Sequence, residues 1–161
     1  MVVSDTSPIL NLALIGQLDL LRRIYGELLI PDAVRAELRA LATRYVELSP
    51  DPPPWVSTRR VGNPRQVEAL VLHLDSGESE AIALALETAP EFLLIDEHRG
   101  RKLATRLGVR CIGVLGTLAE AKRQGLVPAI RPLLDALILR AGFWMSAELR
   151  DRVLRQVREA S

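Results

Sequence analysis

Short apolar runs alternate with longer stretches of helical periodicity along most of the chain. Residues 2–5 form a buried-strand pattern, and from Pro8 to about Ile15 the apolar residues recur at helical spacing until Gly16 supplies a stop. A second helix through LDLLRRIYG ends at Gly26, and ELLIP follows as another short strand. After Pro31, Asp32 is placed to cap a helix through AVRAELRALATRYV. The pattern breaks in SPDPPPWVSTRRVGNP, a proline-stiffened connector in which WVSTRRV fits a short edge strand. A very apolar helix, DSGESEAIALALE, leads into the strand EFLLID. The helix GRKLATRLG, the strand RCIGV and the helix TLAEAKRQG come next, and two helices from about 131 to 142 and 146 to 159 make a C-terminal hairpin.

Apolar strands joined by helical crossovers imply a parallel sheet covered on both faces, because only a doubly covered sheet lets strands be apolar on both sides. The expected fold is therefore α/β: a three-layer α/β/α sandwich with a short parallel central sheet. The length of 161 residues suits a single domain with a substantial core. The hairpin residues LLDALILRAGFWM and LRDRVLRQV carry enough apolar surface either to finish that core or to form a dimer face. Trp55, Phe143 and Trp144 are read as packing or interface residues, since so few aromatics do not make a broad stacking platform.

Composition narrows the setting. Apolar residues make up 48% of the chain but are interrupted by charges, and no run approaches the roughly 20 apolar residues of a membrane-spanning helix. Lysine plus arginine number 21 against 20 acids, so any nucleic-acid contact must use a local patch. The lone cysteine, Cys111, allows no internal disulfide, and the N-terminus reads as a strand rather than a secretory signal. The expected location is the cytoplasm, with no membrane association.

The carboxylates carry the candidate chemistry. Ligands of an open parallel sheet bind outside the carboxyl ends of the strands, where Asp5 and Asp96 each terminate an apolar run. As single residues, both read equally well as turn or cap residues. Glu37 interrupts the apolar stripe Val34, Leu38, Leu41 and Tyr45, and a carboxylate on such a stripe requires a partner: a cation, or an arginine such as Arg39 or Arg44. Glu78 pairs with Asp75 as a D-x-x-E capping box and reads as structural, whereas Glu80 opens the buried run AIALAL and is the better inward-facing candidate. If Asp5, Glu37, Glu80 and Asp96 converge, like charges about 5 Å apart repel by roughly 3 kcal/mol per pair at an effective dielectric of 20. Protons or a divalent cation must then neutralise them, and an all-oxygen set suits Mg²⁺ or Mn²⁺. His73 and His98 lack metal-ligand spacing, which argues against zinc.

Taken together, SDTSP, AEL, LDSGESEAIALA and LLIDEHRGRKLA, in that order from Val2 to about Leu126, resemble the PIN-domain ribonucleases, most closely a VapC-like branch with a GEAEA-type helix start. The resemblance implies hydrolysis of single-stranded RNA by four acids around Mg²⁺ or Mn²⁺, at positions matching Asp5, Glu37, Glu80 and Asp96. It makes Ser7 a supporting residue of the first aspartate; where many PIN nucleases carry a threonine or serine near the last aspartate, Ile95 and Glu97 flank Asp96 here, and Glu97 is a candidate to share the fourth position. It also implies a homodimer and a small antitoxin partner. In the basic run HRGRKLATRLGVR, Arg99, Arg101 and Lys102 lie closest to Asp96 and are the candidate RNA contacts; Arg106 and Arg110 fit a solvated helix face equally well. A signalling receiver domain would need an acidic pair where Asp5 stands alone, and a dehalogenase-type phosphatase would need an acid where Ser7 stands. The rival from another class is a PIN-like module that binds RNA or a protein without cutting.

Overall fold

The computed structural model describes residues 1–160. Five strands form one all-parallel sheet: β1 (Val2–Ser4), β2 (Leu28–Pro31), β3 (Val56–Arg59), β4 (Leu93–Leu94) and β5 (Cys111–Ile112). Their spatial order is β3-β2-β1-β4-β5. The chain thus winds outward from β1 in one direction, returns, and continues on the other side of β1, which puts the switch in winding direction between β1 and β4. Around the sheet, among the described residues, lie nine helices: α1 (Thr6–Leu14), α2 (Asp19–Tyr25), α3 (Asp32–Leu41), α4 (Pro64–Leu70), α5 (Ser76–Thr88), α6 (His98–Arg106), α7 (Val114–Arg123), α8 (Arg131–Arg140) and α9 (Ala147–Gln156).

The period of two along a strand sorts its side chains between two cores. Val2, Leu28, Ile30 and Leu94 face one core, built with α1, α2, α7 and the α8–α9 hairpin. Val3, Leu29, Leu93 and Ile95 face the other, built with α5 and Ala104 of α6. Both sides of each central strand are consequently dry, as the unbroken apolar runs require, and the expected three-layer α/β/α sandwich is the observed one. Among the described residues no helix is long and apolar enough to cross a membrane.

Local departures from the sequence reading have local causes. Pro31, not Asp32, occupies the N-cap of α3, and Asp32 instead pairs with Arg60 at 3.6 Å. The same helix stops at Leu41 rather than running on through Val46. There the amides of Thr43 and Arg44 bond back only three residues, to Ala40 and Leu41, and the Thr43 hydroxyl takes the Ala40 carbonyl at 2.7 Å. Helix α4, absent from the sequence reading, starts where the Asn63 side chain accepts from the Gln66 amide at 3.3 Å and Pro64 takes the first helical position.

The C-terminal hairpin finishes the first core with Leu134, Leu137, Val153 and Leu154. Glu159 ties down its far end. One carboxylate oxygen accepts from Lys122 Nζ at 3.0 Å and the Ile130 amide at 2.8 Å, and the other accepts from the Arg131 amide at 3.2 Å. Glu159→Ala should therefore lower stability by about 1–3 kcal/mol in chemical denaturation, the cost of leaving such donors without an acceptor. An unchanged midpoint would mean that water replaces the clasp.

Candidate functional site

The crossovers of a parallel α/β fold bring helix N-termini to the sheet edge where the strands end, and the acids of this chain gather there. Asp5 follows β1 and is only 4% exposed. Its backbone occupies the N-cap of α1, yet its side chain makes no capping hydrogen bond. Burial raises its carboxyl from 3.8 to about 7; the Thr6 amide opposes that shift, and the charges of Asp75, Glu37 and Asp96 add to it. Asp5 is therefore a buried carboxyl crowded by other acids, and it does not cap α1 through its side chain.

Asp96 lies just beyond β4, across the winding switch from Asp5. Its Oδ1 accepts from the Val114 amide at 3.1 Å, supplying the first turn of α7 with a partner from another element. Its Oδ2 is buried and has no hydrogen-bond partner. Burial raises this carboxyl as well, opposed by the Val114 amide and the positive charge of Arg101. Gly113 makes the arrangement possible: a Cβ there would overlap Asp96 Oδ1 and come within 2.7 Å of Arg101 Nη1.

Glu37 meets neither Arg39 nor Arg44. Its carboxylate receives the hydroxyl of Thr6, a buried residue at the start of α1, and so joins α3 to α1. On its other side lies Gly77 of α5, where a Cβ would stand 2.6 Å from both Glu37 oxygens. Ser7, expected to support Asp5, is exposed; the hydroxyl contact at the start of α1 comes from Thr6 and goes to Glu37.

The remaining acids are arranged differently from the sequence reading. Glu80 accepts from the Ala33 amide at 3.1 Å, in the first turn of α3. Glu78, read from the sequence as structural, faces the cluster. Its carboxyl is raised from 4.5 to about 8, first by burial and then by Asp75, Asp5 and Glu97. Asp75 does cap α5, accepting from the Glu78 amide at 2.8 Å, and Glu97 caps α6 through the Gly100 amide at 2.8 Å. The sequence signal for Glu78 was present in its position one turn into a buried helix, but the capping-box pattern offered a sufficient explanation for it.

Of the basic residues, Arg99 and Lys102 are exposed on α6. Arg101 is half-buried and donates to the Ile95 carbonyl at 3.5 Å, so its charge is directed to Asp96 rather than to open solvent.

Among the described residues no group of three or more His, Cys, Asp or Glu side chains is placed to hold a metal ion. The donor chemistry nevertheless fits a hard divalent cation. Mg²⁺ is commonly held by one or two carboxylates and keeps several of its waters, and the buried, unpartnered Asp96 Oδ2 beside the ionisation-resistant Asp5 supplies oxygens of that kind.

Asp5 also sets a pH dependence. Its folded-state value of about 7 lies above the unfolded 3.8, so the stability due to its protonated form is complete below about pH 4 and is lost as pH rises through about 7. With chelator present, this loss should reach about 4 kcal/mol, and Asp5→Asn should remove most of it. Denaturation midpoints at pH 5 and pH 8 capture about 2.5 kcal/mol of it, the rest falling below pH 5; equal declines in the two proteins would show that Asp5 ionises without cost.

Neither a search of curated proteins nor one of solved structures returns a match to this chain. A family model described as a PIN domain matches residues 1–159. PIN domains are generally nucleases and typically use divalent metals. With the match spanning nearly the whole sequence and the parallel sheet carrying Asp5 and Asp96 at its winding switch, the chain belongs to the PIN-domain family.

Proposed function

We propose that the protein is a Mg²⁺- or Mn²⁺-dependent endoribonuclease that hydrolyses phosphodiester bonds of single-stranded RNA. The observation that carries this reading is the pair of buried carboxylates at the switch point, Asp5 and Asp96, one resisting ionisation and the other with an oxygen lacking any partner. Such a pair is costly in an empty site and becomes favourable when a cation replaces the missing protons and hydrogen bonds.

Asp5 and Asp96 would hold the ion. Bound there, a divalent cation supplies a water of lowered pKa as nucleophile and neutralises charge on the phosphate. Glu37, fixed by Thr6 and confined by Gly77, orients a water at the side of the site and withdraws its proton. Glu80 holds the start of α3, and with it Glu37, through the Ala33 amide. Glu78 and Asp75 add negative potential at the mouth of the site, while Glu97 supports Asp96 indirectly by fixing the start of α6. Arg99 and Lys102 contact the RNA backbone, and Arg101 keeps Asp96 oriented.

The toxin of a toxin–antitoxin pair is the biological setting that fits, acting in the cytoplasm as a homodimer and restrained by a small antitoxin protein that covers the acidic cleft. A second reading, a module that binds RNA or a protein with little or no cleavage, is favoured by one observation: among the described residues no three acids stand together as a ready-made metal cage.

An assay on unstructured RNA separates the two. Cleavage should require Mg²⁺ or Mn²⁺, stop in EDTA, and fall by at least about 100-fold in Asp5→Asn, the scale on which a group acting on the transition state contributes. Gly77→Ala should push the Glu37 carboxylate off the Thr6 hydroxyl, lowering stability by about 1–3 kcal/mol and the rate by at least about tenfold. RNA bound but left intact under all metal conditions would select the binding module.

A further inference from the structure

From the Asp96 end of the sheet a groove of about 610 Å³ runs to the turn between α8 and α9. Asp96, His98, Arg101, Leu115, Phe143 and Trp144 are among its lining residues. The turn is anchored: the Phe143 amide donates to the Leu137 carbonyl at 2.9 Å, and the Phe143 ring packs half-buried against the first core. Trp144, the next residue, is 83% exposed. Packing accounts for Phe143 and not for Trp144, because an indole is normally well covered and this one lies outside the core that its hairpin completes.

We propose that this groove is a stacking subsite for one unpaired nucleobase of the RNA strand, with Trp144 as its aromatic wall; the proposal rests on the ribonuclease reading of the adjoining carboxylates. Three features select this occupant. The groove is continuous with the site where the phosphodiester would lie, so a nucleotide adjacent to the scissile bond can reach it without leaving the protein surface. Its volume is in the range of clefts that enclose a small organic ligand, which suits a nucleotide. Its lining is mixed, with Asp96 and its neighbour Arg101 alongside apolar and aromatic side chains, and exposed Arg99 and Lys102 stand on the same helix outside the groove. That mixture suits a nucleotide, anionic at the phosphate and π-faced at the base. Because every base has a π face, the subsite favours single strands over duplexes without reading sequence. The 83% exposure of Trp144 sets aside the packing half of the role read from the sequence, and the stacking role is proposed in place of the interface half.

The chain has two tryptophans, so Trp55→Phe leaves Trp144 as the sole indole reporter. In EDTA, titration of this protein with a short unstructured RNA should quench its emission saturably, and a duplex of the same length should not. Trp144→Ala should weaken binding about 5- to 150-fold, the effect of losing one base–aromatic stack, and Trp144→Phe should restore most of it. In Mg²⁺ or Mn²⁺ the alanine variant should raise KM with little change in kcat. RNA cleaved by Trp144→Ala with a normal KM would overturn the subsite and leave the ribonuclease standing. Quenching by RNA that the wild-type protein never cleaves would keep the subsite and remove hydrolysis. An emission change that follows protein concentration and is indifferent to RNA would assign Trp144 to contact with a second copy instead, and RNA that neither binds nor is cut would remove both proposals.

Discussion

Negative charge held at the dry end of a parallel sheet is the constraint around which this fold is arranged. Parallel strands must be covered on both faces, so their ends open onto a rim from which helices have already excluded much of the water. A carboxylate in that position loses hydration, and each further acid makes ionisation harder. Asp5 experiences both effects. The fold answers with its helix N-termini, which the crossovers necessarily deliver to the same rim. The starts of α3, α5, α6 and α7 offer amides to Glu80, Asp75, Glu97 and Asp96 respectively. Each of these acids thereby has a partner that carries partial positive charge. Asp5 has little more than the Thr6 amide, Asp96 retains one oxygen without a partner among the described residues, and Glu78 is pushed up near them, so the unrelieved negative potential is concentrated on these three.

Close packing then fixes the side chains that surround Asp5 and Asp96. Gly77 and Gly113 stand where α5 and α7 pass carboxylates, and in each case the space a methyl group would fill is already taken by a functional oxygen. The Thr6–Glu37 contact locks α1 to α3, and Glu37 in turn is confined by α5, so three helices meet on one carboxylate. Rigidity of this kind suits a site whose oxygens must already be in place when an ion arrives, because little ordering is left to be done on binding.

The C-terminal hairpin contributes to the same region from the other side. Its buried leucines and Val153 complete the first core, and the Glu159 clasp holds its end against α7 and the start of α8. A hairpin held this firmly presents its turn at a fixed place, and an exposed aromatic on a fixed turn loses little conformational freedom when a flat partner stacks on it.

The sequence by itself determined the layers and their order of elements, since apolar runs without alternation leave no solution except a doubly covered parallel sheet, and helix signals lay between them. It also determined that Asp5 and Asp96 end strands and that Glu37 breaks an apolar stripe. Those properties depend on spacing along the chain, which a sequence displays directly. Only the tertiary structure decided which acids face one another. Glu78 and Glu80 sit two residues apart on one helix, about 200° around its axis, and whichever side α5 turns to the sheet sends one to the cluster and the other to α3. Likewise, Thr6 rather than Ser7 holds Glu37 because α1 buries one hydroxyl and exposes its neighbour, and Trp144 opens onto the Asp96 groove because α8 packs on α1 and α9 on α7. Orientation of a helix about its own axis is set by the sum of its packing contacts, and no local stretch of sequence contains that sum.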